Sequence, residues 1–252
     1  MSEFRTDLGL EGYINAYETN NALLPSIDKS ITFKHNKLSK MVESLCVICD
    51  RYSSYDLLME KRCIYNKEKK RSLQICNDIE LFKEIVISPD KMNAFSWYDN
   101  WVRLWTVVIA LSFCKSLDFL SFNLSKFQSY EVYKKIEKTV KDDSPISILN
   151  TIMDLSYDDF SLLLCDAVRY RCVLSYINRE VSIYVNDIHV LLNNNMGVIK
   201  EMAELAFMEA VFNINNLNSR VKVFYSLPIE VLSYSFTNDS LEAAKEDAYK
   251  II

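Results

Sequence analysis

From position 37 onward, apolar side chains return at three- and four-residue steps, the spacing of helices that bury one face. Leu38, Met41, Val42, Leu45, Ile48, Cys49 and Tyr52 line the first such face and predict a helix from about Lys37. A second helix is expected after Ser53, with Leu57, Leu58, Ile64 and Tyr65 turned inward. Between Trp97 and Leu120 the pattern is apolar nearly all round, as in a central helix buried on most sides. Further long helices are expected from Asp158 to about Ile177 and from Val198 to Leu217, the latter with Met202, Leu205, Met208 and Phe212 on one stripe.

Local chemistry marks several starts. Ser88-Pro89 and Ser144-Pro145 place a capping hydroxyl before a proline at the first helical position. Ser156-x-x-Asp159 and Asp239-x-x-Glu242 resemble capping boxes, the second opening a C-terminal helix to Ile252. Strand signals are few: Ile31-Thr32-Phe33, Val181 to Val185 and Val221 to Tyr225 alternate over short runs and read as a small hairpin or as loops. The fold class is therefore mostly α, a compact helical bundle of one domain or two packed lobes, with at most a few short strands. The expected organisation is an arm or loop over residues 1–30, a helical lobe over 31–142, and an acidic helical lobe over 143–252. The turn Lys141-Asp-Asp-Ser-Pro145 divides the lobes.

Composition sharpens this by exclusion. Half of the 252 residues are apolar, so a sizeable core can form. Glycine occurs only as Gly9, Gly12 and Gly197, which removes the material for a phosphate-cradling loop or a dinucleotide fingerprint. The richness in Ile, Asn, Lys, Tyr and Phe is what an AT-rich coding sequence produces, and it points to a virus or an AT-rich microbe as the source. The start, with two acids in seven residues, lacks the order of a signal peptide. The greasiest run, Leu104 to Cys114, is about half the ~20 residues a bilayer span needs. Seven scattered cysteines are then expected as reduced thiols in the cytoplasm, with no role at a membrane.

Candidate chemistry is sparse. Cys46-Val-Ile-Cys49 is half of a zinc site or a redox pair at most. No second close pair completes it, so buried reduced thiols are expected and no metal. His35 and His189 lie in no nucleophile elbow or metal-binding helix motif. Asp142-Asp143 and Asp158-Asp159 sit where aspartates cap helices. No catalytic residue, cofactor or enzymatic activity is expected.

Charge is more informative. From Lys29 to Arg71 there are 11 Lys/Arg against 5 Asp/Glu, a local +6 in a chain of −5, which leaves −11 for the rest. Lys61, Arg62, Lys67, Lys69, Lys70 and Arg71, with Tyr65 nearby, form either a solvated helix end or a patch for phosphates or an acidic partner. Trp97, Trp101 and Trp105 recur every four residues, as core or as an exposed docking stripe. The expected role is non-enzymatic binding of a macromolecule through a helical surface. A viral or microbial factor that binds and inhibits a host protein fits it, with Trp97, Trp101 or the basic patch at the contact. The rival role is an RNA-binding nucleoprotein or encapsidation factor using residues 29–71. Opposite charge in the two halves also suits head-to-tail association of identical subunits.

Overall fold

The computed structural model describes residues 45–49, 73–76, 86–117, 124–141, 143–185 and 197–250. The expected arm, the helix after Ser53 and the Ile31-Thr32-Phe33 run lie outside them. The described chain is mostly helical, and its strands join in one parallel sheet. These are β1 (Cys46–Cys49), β2 (Leu73–Cys76), β3 (Val181–Val185), β4 (Val221–Pro228) and β5 (Tyr249–Lys250). Their spatial order is β2-β3-β4-β1-β5.

Two expectations change here. Cys46–Cys49 is a strand in the sheet and no part of a helix, paired with β4 from Cys46↔Tyr225 to Cys49↔Pro228 and with β5 on its other side. Cys-Val-Ile-Cys is a short apolar run, which spacing alone assigns to a buried strand as readily as to a helix. Pairing on both edges decides, and Cys46 and Ile48 are buried there. The runs at 181 and 221 are strands, yet they form no hairpin. They pair in parallel, Val181↔Val221 to Val185↔Tyr225, and parallel neighbours need a long crossover.

The helices follow their local signals in some places and depart from them in others. They are α1 (Met92–Phe95), α2 (Tyr98–Ser116), α3 (Tyr130–Thr139), α4 (Pro145–Met153), α5 (Tyr157–Cys165), α6 (Ala167–Ser175), α7 (Val198–Asn215) and α8 (Asp239–Asp247). Pro145 opens α4 directly after Ser144. Ser156 Oγ accepts from Asp159 N at 3.3 Å and starts α5. Ser88-Pro89 instead makes a turn, with Lys91 N donating to Ser88 O, and the short α1 begins only at Met92. The helix expected over 158–177 is broken at Asp166, which ends α5 and precedes α6. The last helix is capped by Asn238, one residue before the expected aspartate. It stops at Asp247, where Ala248 turns extended (φ −71°, ψ 134°) into β5. Gly197, at φ +49°, precedes α7 in a backbone region that other residues rarely enter.

Helix α2 is the centre of the fold. It packs on α7, α6, α4 and α5, and α7 packs in turn on β4 and α8. The indole of Trp105 donates to Ala203 O of α7 at 2.9 Å. Ser112 and Ser116 of α2 bond Asp143, which ties the residues just before α4 to the same core. The steps β2 to β3, β3 to β4 and β4 to β5 all run one way across the sheet. Helices α6, α2, α7 and α8 pack one on the next, and α7 lies against β4.

One side chain completes the sheet. At Val223, β1 has not yet begun, because its first pair is Cys46↔Tyr225. Asn215, at the end of α7, takes the missing strand's place. Its Oδ1 accepts from Val223 N at 2.7 Å and its Nδ2 donates to Val223 O at 3.0 Å.

Burial pushes the hydroxyls of Tyr170 and Tyr225 well above their ordinary value, with Cys46 beside Tyr225 adding to it. Both side chains ionise near pH 10 once unfolded. Their contribution is therefore fully present below pH ~10 and is lost as pH rises above it, at roughly 1.4 kcal/mol per pH unit for each tyrosine. Alkaline titration should show part of the tyrosinate absorbance appearing only with loss of helical circular dichroism. A complete tyrosine titration with the helical signal intact would contradict this.

Candidate functional site

The residues singled out by sequence fall into three groups. Lys61, Arg62, Tyr65, Lys67, Lys69, Lys70 and Arg71 lie outside the described residues, as do His35 and His189. Trp97 caps α2 and is 66 % exposed. Trp101, one turn on, is fully buried against Phe95, and its indole donates to Phe95 O at 3.0 Å. Trp101 therefore belongs to the core and is corrected as a contact residue. Of the tryptophan stripe only Trp97 faces solvent, because it stands just before α2, outside the part of the helix that its neighbours cover.

The cysteine and aspartate motifs resolve into structure. Positions three apart share a face on a helix but fall on opposite faces of a strand, so β1 removes the local reason for pairing positions 46 and 49. Cys46 is a buried thiol beside Tyr225, and no group of three His, Cys, Asp or Glu among the described residues is placed to hold a metal. Asp158 and Asp159 occupy the first turn of α5, and Asp159 pairs with Lys135 at 2.7 Å.

Three acidic residues that the sequence reading missed sit in the interior or at its margin. Asp166 is buried and accepts from Ser129 N (2.8 Å), Ser129 Oγ (2.9 Å) and Arg169 Nη1 (2.9 Å). Tyr170 shares a hydrogen bond with the same serine at 3.1 Å. Glu204, fully buried on α7, accepts from the Tyr234 hydroxyl at 2.7 Å, with Lys200 Nζ at 4.0 Å. Glu209 accepts from the Tyr98 hydroxyl at 2.7 Å and from Asn238 Nδ2 at 2.9 Å. Burial first, and the Glu209 carboxylate second, push the Tyr98 hydroxyl far up, so it stays a donor. Each cluster joins elements distant in sequence: α3 to α6, α7 to the segment after β4, and α2 to both α7 and the start of α8. A carboxylate buried this way holds its donors in place, and losing one partner is costly. The signal in the sequence was an acid inside an apolar helical run, as in Met202-Ala-Glu-Leu-Ala-Phe207.

Large apolar side chains are exposed at several places, among them Val86, Trp97, Val198 and the outer side of α6. Ala167, Tyr170, Val173 and Leu174 face the core, while Val168 (71 % exposed) and Tyr176 (73 % exposed) face out. Exposed Arg171 and Cys172 lie between them, and Arg169 is half exposed beside buried Asp166. The helix carries two arginines and no acid. Helix α8 turns Asp239, Glu242, Glu246 and Asp247 outward and buries Lys245.

No protein-family model, curated protein or solved structure matches this chain.

The α6 surface had a weak sequence signal. Val168, Cys172 and Tyr176 are spaced by four along an otherwise amphipathic helix, on the face that the core pattern leaves over. Isolated exposed apolar residues are ordinary. Here they share one helix face with arginine and a tyrosine, the residue types that interfaces favour. No helix among the described residues is long and apolar enough to cross a membrane.

Proposed function

We propose that the protein acts by binding another macromolecule through a preformed helical surface, without catalysing a reaction, and that the outer face of α6 is that surface. One observation carries the reading: Val168 and Tyr176 stand more than two-thirds exposed on a helix whose other side is locked into the core. A rigid face costs little ordering entropy on binding, and aromatic and arginine side chains supply most interface energy. The scarcity of glycine supports a binding role over nucleotide chemistry. Exposed free thiols at Cys165 and Cys172 suit a reducing compartment, and we place the protein in the cytoplasm on that ground. A viral or microbial factor that engages a host protein remains the setting this role fits. The nucleic-acid alternative rests on Lys61 to Arg71, and no described feature adds to it.

A photo-crosslinking amino acid in place of Tyr176 tests the reading. It should give a discrete protein adduct in cells, while the same probe at exposed Lys138 on α3 gives none. No discrete adduct at 176, or one that nuclease removes, would overturn it.

A further inference from the structure

Helices α6 and α8 form two exposed ends of opposite character. They are linked through α2 and α7, since contacts run α6 to α2, α2 to α7 and α7 to α8. The α6 end offers apolar side chains beside Arg171, for which no carboxylate partner exists among the described residues. The α8 end carries four acids against one lysine, and that lysine is buried and bonded to Glu242 at 3.2 Å. Phe236, 38 % exposed just before α8, gives this end an apolar element as well.

We infer that these two ends meet between copies of the chain: the basic, apolar face of α6 in one copy docks on the acidic face of α8 in the next. The inference rests on the α6 face being a docking surface and names its occupant as a second copy. Charge complementarity carries it, since one end lacks acids and the other hides its only base. The two surfaces differ, so the contact is heterologous, and repetition gives a ring or an open chain in place of a closed two-fold dimer. Opposite fields also steer the encounter and make it salt-dependent.

Sedimentation of the full chain tests this with two variants altered only at exposed positions. Val168→Asp with Arg171→Glu spoils the α6 end, and Glu246→Lys with Asp247→Lys spoils the α8 end. The unaltered chain should grow in mass with concentration and shrink toward the monomer as salt rises. Each variant alone should associate at least about tenfold more weakly while keeping the parental circular dichroism and melting temperature. Mixed together, the two should form a one-to-one dimer and nothing larger, because the mixture retains one intact pair of ends. Monomeric behaviour of the unaltered chain, or a mixture with no dimer, overturns the inference. If the 176 probe still captures a different protein, the docking surface stands and only its occupant was wrong. If it captures nothing, both readings fall.

Discussion

Trp101→Ala is expected to destabilise the chain by about 3–5 kcal/mol, the range for deleting a fully buried aromatic side chain. Trp101 has no exposure, packs its ring on Phe95 with centroids 4.5 Å apart, faces Trp105 at 6.5 Å, and satisfies Phe95 O through its indole. Truncation leaves a cavity under the first turns of α2 and removes the indole donor to that carbonyl. A domain of this size should lose roughly 6–20 °C in melting temperature. Trp97→Ala is the control, since its side chain is mostly in water and its loss should stay within about 0.5 kcal/mol. Urea denaturation of both variants decides. Equal costs at the two positions would mean that Trp101 is not the buried member of the stripe.

Asn215→Leu removes the amide that stands in for a strand. Leucine is close in volume but leaves Val223 N and O without partners in the interior, at about 1–3 kcal/mol each, or roughly 2–6 kcal/mol together. The effect should be local as well as global. Hydrogen exchange at the Val223 amide should accelerate more than at Val181, whose N–H donates to Arg220 O on its own. Unchanged protection at Val223, with a loss under about 0.5 kcal/mol, would show that water or a backbone shift replaces the amide.

These two side chains also mark where reading a sequence succeeds and where it stops. Trp101 sat in a run apolar on all sides, and a helix with that pattern must be surrounded, so the burial of α2 was legible. Which tryptophan escaped was not. Spacing by four places all three on one face, and only the packing of α1 and α7 against that face leaves Trp97 outside. Asn215 gave no signal, because its two bonds reach a strand formed by a later segment. The carboxylates of Asp166 and Glu204 had the same disguise: near them in sequence are apolar residues, and near them in space are Ser129 and Tyr234. The candidate surface was legible only as a remainder, the face of α6 left after the core face was assigned. The basic patch at Lys61 to Arg71 lies outside the described residues.

By itself the sequence determined the helical class, the central helix, the proline start of α4 and the serine cap of α5. Each follows from neighbours within one or two turns, where spacing and capping act through local geometry. Tertiary structure alone decided that Cys46–Cys49 is a strand, that the strands run parallel, and which faces of α6 and α8 stay exposed. Four apolar residues satisfy a helix and a buried strand equally well, and the choice goes to whichever leaves fewer backbone groups unpaired. For β1 those partners lie on β4 and β5, some 180 to 200 residues further along the chain.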